Sequence, residues 1–159
     1  MRLVADNFGL KIGIEGEKEF KKALSEINQS FKVLGSEMKL VSSQFAANDK
    51  SIQALSARNT VLNKEIDAQR QKIETLRAAL QNASESFGEN DRRTQNWQIQ
   101  LNNAEAALNG MERELSANER AMESLSQQET EAADATERLS QEISRQEDEL
   151  AGMKRAYSN

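Results

Sequence analysis

Apolar residues recur along most of this chain at alternating steps of four and three. The alternation begins at Phe20 and keeps one phase as far as Tyr157. This is the heptad repeat of α-helices that supercoil around one another, whose two apolar positions form a seam. We assign the strongest positions of this seam to contact between copies of the chain. They are Leu24, Ile27, Phe31, Leu34, Ile52, Leu55, Asn59, Leu62, Ile66, Ile73, Leu76, Leu80, Trp97, Leu101, Leu108, Leu115, Leu125, Leu139, Ile143 and Leu150.

The constant phase favours an extended arrangement. If the chain turned back at a loop, the heptad would be free to resume in any phase. A single uninterrupted helix over this run would have about 138 residues and span roughly 200 Å at 1.5 Å per residue. A strict seven-residue repeat also predicts a left-handed supercoil.

Two short polar segments nevertheless resemble helix boundaries. Asn48, Asp49 and Ser51 are residue types that cap helix N-termini, and Gly88 is a residue type that ends helices. We therefore predict an all-α fold with candidate hinges at 46–51 and 88–91. The predicted helices are about 17–47, 51–87 and 91–157, forming either a coiled-coil rod or an antiparallel hairpin.

The N-terminus has a different period. Phe8, Leu10, Ile12 and Ile14 alternate with polar residues or glycine, which predicts a short β-strand over 8–15. A lone strand must pair with a copy of itself or with a partner's sheet edge; the alternative is an arm that packs on the first helical turn. We accordingly divide the chain into an N-terminal arm, 1–16, and a coiled-coil region, 17–159.

Polar residues interrupt the seam and bear on the number of strands, meaning helices, in the coiled coil. Asn59 stands where Ile52 and Ile66 are its heptad equivalents, and a buried Asn at such a position fixes register and strand number. Ile52 followed by Leu55 favours two strands, whereas the Phe, Met and Asn exceptions leave a trimer equally open. The polar seam residues are Asn48, Asn59, Gln69, Asn90, Thr94, Asn118, Glu129, Thr136 and Gln146.

Composition argues against catalysis. The 159 residues contain no His, no Cys and no Pro. The commonest general base and metal ligand is therefore missing, and so is any thiolate zinc site. The carboxylates Glu147, Asp148 and Glu149 have no nucleophile or imidazole beside them, and no glycine-rich phosphate loop occurs. We expect no enzymatic activity, cofactor or metal.

Charge and hydropathy limit the classes of partner that the chain can have. The net charge is −5, and the acidic excess lies in residues 89–159. An acidic surface argues against a nucleic-acid backbone as partner and fits a solvated coiled coil. No run approaches 18 apolar residues, so we expect no membrane span in this portion.

Several segments resemble a known family. Phe8–Glu26 (FGLKIGIEGEKEFKKALSE) is similar to the start of tail tape measure proteins from tailed phages and prophages of Gram-positive bacteria. The resemblance continues through Met38–Phe45 (MKLVSSQF), Leu55–Ile66 (LSARNTVLNKEI) and Phe87–Leu101 (FGENDRRTQNWQIQL), and covers at least residues 8–118. Relatives often have a Pro-Gly turn where this chain has Asn48–Lys50. Because such proteins are usually far longer, we expect this chain to be an N-terminal portion.

The resemblance implies a structural role. A tape measure protein lies extended in the lumen of the virion tail, and its length sets how far tail-tube subunits polymerise. The implied partners are a few copies of itself (a dimer or a trimer), the tail tube protein and the tail assembly chaperones. The implied location is the tail lumen, and the host cytoplasm during assembly. A helix of constant register suits this role because it converts residue number into distance linearly.

Two other functions stay open at this point. One is a cellular coiled-coil tether or chaperone-like oligomerisation module that holds partners at the helix ends. The other is an accessory segment that oligomerises a downstream catalytic domain. A discrete oligomer with partners at its tips would distinguish the first, and the rest of the open reading frame would distinguish the second.

Overall fold

Three long helices make up almost all of the structure, a computed structural model that describes residues 12–158. Helix α1 is Ile14–Ser43, α2 is Ile52–Phe87 and α3 is Arg92–Ser158. The all-α prediction is confirmed, and the helix boundaries lie within a few residues of the predicted ones. The chain divides into two compact units, Met1–Glu119 and Arg120–Asn159, so the boundary falls within α3.

The β-strand predicted over 8–15 is wrong for the part of it that the structure describes, since residues 8–11 lie outside the described residues. Ile14 and Glu15 form the first turn of α1. Gly13 precedes them with φ of 75°, its N–H donates to Ser86 Oγ over 3.0 Å, and its carbonyl accepts from Asn82 Nδ2 over 3.3 Å. These contacts hold Gly13 against the end of α2, and the helix begins at the next residue, where the alternating pattern predicted a strand.

The first interhelix segment, 44–51, is closed by polar side chains. Ser51 is the N-cap of α2, and its Oγ accepts from the Ala54 N–H over 3.2 Å. Asp49 accepts from the Ser51 N–H over 2.8 Å, and this hydrogen bond is the main cause of a lowered pKa for Asp49. Arg58 Nη1 donates to the Asp49 carbonyl over 2.7 Å. The residues that predicted a helix boundary therefore form one.

The second interhelix segment, 88–91, depends on a glycine. Gly88 has φ of 90°, a conformation that L side chains rarely adopt. Thr94 Oγ1 donates to the Gly88 carbonyl over 2.7 Å. The Arg93 guanidinium lies 3.5 Å from the centre of the Phe87 ring and also pairs with Asp91, which lowers the pKa of Asp91.

Within residues 12–119 the chain turns back at both segments. Lys64 pairs with Glu37 over 3.5 Å, so α2 runs antiparallel to α1. Arg70 pairs with Glu112 over 3.0 Å, and Arg77, further along α2, pairs with Glu105 over 3.7 Å. Because Glu105 precedes Glu112, the start of α3 runs antiparallel to α2. Of the two predicted arrangements, this part of the chain has the antiparallel one. Helices joined by short segments meet at high effective concentration, and the turn costs little chain entropy.

The first unit has its core where all three helices meet. Phe20 and Leu76 are fully buried there, and Phe20 contacts Trp97 edge-on with ring centres 6.5 Å apart. None of the described helices is long and apolar enough to cross a membrane. The buried cluster comprises Phe20, Leu24, Ile73, Leu76, Ala79, Ala83, Trp97, Leu101 and Ala104.

In the second unit, the described residues 120–158 are the continuation of α3. Ion pairs within the helix support it, since Arg145 contacts both Glu142 and Glu149. These are the i, i+3 and i, i+4 spacings that bring side chains together on a helix surface.

Candidate interaction surfaces

The predicted seam residues of the first unit mostly contact other helices of the same chain or lie beside them. Their contact with another copy stays a prediction. Ile27, Phe31, Ile52, Leu80, Leu108 and Leu115 are half-buried. The buried ones are Leu24, Leu34, Leu55, Asn59, Leu62, Ile66, Ile73, Leu76, Trp97 and Leu101.

Polar seam residues are matched across the antiparallel helices. Asn118 Nδ2 donates to Asn59 Oδ1 over 2.8 Å. Gln69, which is 4% exposed, donates from Nε2 to the Ala104 carbonyl over 2.9 Å. Because a buried amide is costly without a partner, these bonds hold α2 and α3 in one register. Sequence reasoning identified Asn59 as a register residue but assigned it to contact between copies.

A buried carboxylate is the feature that sequence reasoning missed. Trp97 Nε1 donates to Glu17 Oε1 over 3.1 Å, and Glu17 is only 9% exposed. The heptad predicted Trp97 as a seam residue, but Glu17 precedes the first seam position, Phe20. The offset of 80 residues between the two gives no periodic signal, so only the fold reveals the pair.

From Glu129 onward, the seam on the described part of the second unit is exposed. Leu139, Ile143 and Leu150 are 61%, 48% and 51% exposed, and Met153 and Tyr157 are 57% and 92% exposed. The seam residue Leu125 is half-buried. Thus three residues predicted for contact between copies form an apolar stripe that is free in the single chain.

Polar residues interrupt this stripe. Glu129, Thr136 and Gln146 take the seam positions between the apolar ones, and all three are exposed. The exposure of Glu129 agrees with a carboxylate that extends into solvent. This part of the seam is therefore apolar at only some of its positions.

Open grooves lie between the helix pairs of the first unit and differ in charge. The groove between α1 and α2 contains Glu26 and Glu74, and that between α2 and α3 contains Arg77 with Glu85 and Glu89. The groove between α1 and α3, of about 430 Å³, is lined by three lysines and by no carboxylate. The lining residues of this groove are Lys21, Leu24, Ser25, Asn28, Gln29, Lys32, Lys72, Trp97 and Gln100.

Ionisable groups elsewhere show little sign of a chemical site. Burial and the nearby Glu114 carboxylate raise the pKa of Glu65, which is half-buried on α2. Among residues 12–158, no group of three or more His, Cys, Asp or Glu side chains is placed to hold a metal ion. The pKa shift of Glu65 thus has an ordinary structural cause.

Comparison of the chain with protein families, with curated proteins and with solved structures gives no match. The resemblance to tail tape measure proteins therefore depends on the sequence segments quoted above. The candidate interaction surfaces are the exposed stripe of α3 and the grooves of the first unit.

Proposed function

We propose that this chain is the N-terminal part of a phage tail tape measure protein, a non-enzymatic helical protein that sets tail length and scaffolds assembly of the tail tube. The observation that carries the proposal is the heptad seam, which runs in one phase to the end of the 67-residue helix α3. A helix of that length spans about 100 Å. The order of the segments that resemble tape measure proteins supports the same assignment.

In this proposal the exposed stripe of α3 supercoils with other helices. Leu139, Ile143 and Leu150 follow the a and d positions of a coiled coil, and all are largely exposed in the single chain. Burying them against a second or third copy removes that apolar surface from water, at roughly 25 cal/mol per Å². The proposed partners are thus further copies of the chain, as a dimer or a trimer.

The remaining partners follow from the tape measure role. The tail tube protein would surround the chain in the virion lumen, and tail assembly chaperones would cover it in the host cytoplasm before the tube forms. Acidic side chains predominate in 89–159, and like charges would keep passing DNA from adhering. Tight binding of the purified chain to duplex DNA at physiological salt would contradict this part of the proposal.

The antiparallel turn of the first unit limits which residues would measure length. Because α1, α2 and the start of α3 lie side by side, a residue added there adds less than 1.5 Å to the assembly. Residues 120–158 form one helix and would count in full. The constant phase through 44–51 and 88–91 is also compatible with an opened form in which all residues count.

The test is an in-frame deletion of Ser126–Gln146 in the parent gene. It removes 21 residues, or three heptads, from the exposed part of α3 and leaves the buried core intact. Negative-stain electron microscopy should show tails shorter by roughly 30 Å. A tandem duplication of the same segment should lengthen tails by the same amount.

A variant of unchanged length controls for general damage. Substituting Leu139→Ser and Ile143→Ser weakens the stripe but removes no residue, so tails that form should keep their length. Intact tails of unchanged length in both the deletion and the duplication would refute the ruler. The exposed stripe would then favour the alternative, a cellular coiled-coil tether or chaperone-like oligomerisation module.

A further inference from the structure

The second interhelix segment, 88–91, does not change the phase of the heptad seam. In unbroken steps of four and three, the seam passes through Ala83, Phe87, Asn90, Thr94 and Trp97. A turn of non-helical backbone leaves the next helix free to begin in any of the seven heptad phases. Here α3 begins in the one phase that a continuous helix from α2 would give it. Converting 88–91 into helix would therefore place the seams of α2 and α3 along one face.

The contacts between α2 and α3 are of a kind that a second copy can also make. Three of them are Asn59–Asn118, Arg70–Glu112 and Arg77–Glu105. Asn59 and Asn118 occupy the two different positions of the heptad seam, and reversing the direction of one helix exchanges these positions. Two continuous helices that pair antiparallel about a two-fold axis at 88–91 would therefore place Asn59 of each copy opposite Asn118 of the other.

We propose that two copies of this chain form a dimer by exchanging their α3 helices. In this dimer 88–91 would be helical, and α2 of each copy would pair with residues 92–119 of the other. Both copies contribute the same surfaces, so the interface is isologous and each exchanged contact occurs twice. The exchange depends neither on the chain setting tail length nor on the exposed stripe of α3.

Burial and buried amides explain why the partner would be a second copy. The core of the first unit combines Ile73 and Leu76 of α2 with Leu101 of α3, which are 4%, 0% and 6% exposed. Opening the hairpin would return part of this apolar surface to water, which favours association. Gln69 also needs an acceptor at one level of the facing helix, where the Ala104 carbonyl now accepts its hydrogen bond. Residues 92–119 of another copy supply the same groups in the same register.

Helix α1 is compatible with the exchange. The Gly13 backbone is hydrogen-bonded to Asn82 and Ser86, which holds the start of α1 to α2 of its own chain. The ring of Phe20 contacts Trp97 of α3 edge-on. In the dimer, Trp97 of the second copy would take that place.

Contacts that a helix does not make keep the turn closed in the single chain. The Arg93 guanidinium lies 3.5 Å from the centre of the Phe87 ring, and Thr94 Oγ1 donates to the Gly88 carbonyl over 2.7 Å. Both contacts join residues six positions apart, whereas side chains that meet on a helix are three or four apart. Loss of the Arg93 side chain should therefore shift the equilibrium from the hairpin towards the dimer.

Two insertions after Gly88 separate the effect of phase from that of turn length. In a continuous helix, seven alanines keep α3 within about 20° of its original face, whereas five rotate it by about 140°. Both insertions lengthen the turn and favour helix, and a hairpin tolerates either. Sedimentation equilibrium of the whole chain should give the seven-alanine variant a dissociation constant at least roughly tenfold below that of the five-alanine variant. Both carry L139S/I143S, so that the exposed stripe of α3 does not contribute.

Crosslinking identifies the exchanged contact in a chain without insertions. The sequence has no cysteine, so R70C and E112C each introduce a single thiol. The two single variants are unfolded in urea, refolded together and treated with a short bifunctional maleimide at roughly 0.1 mM, where a micromolar interaction is nearly saturated. We expect a crosslinked pair of R70C with E112C. The control Q95C, roughly 25 Å along α3 from Glu112, should give none with R70C.

Arg93→Ala in both crosslinking partners should raise the yield several-fold, because it removes the contact with Phe87. Arg92→Ala removes the same charge from the exposed neighbour and should leave the yield unchanged. Equal dissociation constants for the two insertions would overturn the proposal, because the heptad phase would then have no effect. So would the absence of the R70C–E112C crosslink from Arg93→Ala chains that circular dichroism shows to be folded.

Discussion

Asn118 donates a hydrogen bond from Nδ2 to Asn59 Oδ1 over 2.8 Å, joining α3 to α2 across 59 residues of sequence. Both residues occupy polar positions of one heptad seam, and Asn59 is 8% exposed. In a coiled coil between copies, each Asn would meet its equivalent in another chain. Here two different seam positions of the same chain meet, which fixes the register of the antiparallel helices.

The Asn59–Asn118 pair predicts a non-additive mutant series. Asn118→Leu should lower the free energy of unfolding by about 1 kcal/mol, because it removes a donor from a buried amide oxygen. The double variant N59L/N118L should recover that loss or exceed the original stability, because two apolar side chains pack in place of the pair. Urea unfolding followed by far-UV circular dichroism measures both.

The exposed pair Gln98 and Asn102, whose side chains are hydrogen-bonded over 2.9 Å on the surface of α3, is the matched control. Q98A/N102A should change stability by less than about 0.5 kcal/mol. If the loss of stability in N59L/N118L equalled the sum of the losses in N59L and N118L alone, the two asparagines would not act as a pair.

The buried Glu17 carboxylate is expected to stabilise the fold through Trp97. Glu17→Ala should lower the free energy of unfolding by about 1–3 kcal/mol, because the indole N–H loses its buried acceptor. Glu17→Gln keeps a side-chain oxygen and should lose less. Trp97 is the only tryptophan, so its fluorescence reports the surroundings of this bond directly.

Glu15 controls for the helix-end charge, since it lies in the same first turn of α1 and is exposed. Glu15→Ala should cost only about 0.3–1 kcal/mol. Equal losses in Glu15→Ala and Glu17→Ala would mean that the helix dipole, and not the Trp97 bond, explains the effect.

Substitution by alanine should change the free energy of unfolding in opposite directions at Gly88 and Gly35. Gly88 has φ of 90°, so Gly88→Ala should lower the free energy of unfolding by about 1 kcal/mol or more. Gly35 lies inside α1, and Gly35→Ala should raise it by about 0.5–1 kcal/mol. A Cβ at either position meets nothing within 4 Å, so the contrast isolates backbone conformation.

Thermal or urea unfolding of the two variants under one buffer condition checks the prediction. If Gly88→Ala instead stabilised the chain, the positive φ at this position would not be required. Small-angle X-ray scattering would then show whether α2 and α3 have joined into one longer helix.

Glu65 gives the stability a pH dependence of known sign. Burial and Glu114 raise the pKa of Glu65 above 4.5, so the folded state binds its proton more tightly than the unfolded state does. Its contribution is fully present below about pH 4.5 and is lost as pH rises through the raised pKa. Glu65→Gln should therefore gain stability over the unmodified chain as pH rises from 4 to 7.

The gain should be roughly a few tenths of a kcal/mol, because Glu65 is only partly buried and solvent screens it. Urea unfolding at a series of pH values measures it. Glu74→Gln removes a carboxyl from an exposed position of the same helix and serves as the comparison. A gain for Glu65→Gln that is largest at pH 4 would contradict the assigned sign.

The helices themselves were predictable from local information. The heptad placed Leu24, Leu76 and Leu101 on apolar faces, and the structure buries all three. Cap chemistry located the boundaries of α2. The Ser51 side chain accepts a backbone N–H at its start, and Gly88 adopts a positive φ at its end. These features depend on residues only a few positions apart.

The sequence by itself therefore determined that the chain is helical, where α2 and α3 begin and end to within a few residues, and which face of each helix is apolar. Only the tertiary structure decided what covers those faces: other helices of the same chain bury much of the seam in the first unit, and the described part of the second unit leaves Leu139, Ile143 and Leu150 exposed. At Ile14 the structure has the first residue of α1 in place of the predicted strand, directly after Gly13, whose backbone is hydrogen-bonded to Asn82 and Ser86. The reason is that periodicity encodes the direction of apolar side chains around a helix axis, whereas their partners depend on contacts between residues far apart in the chain.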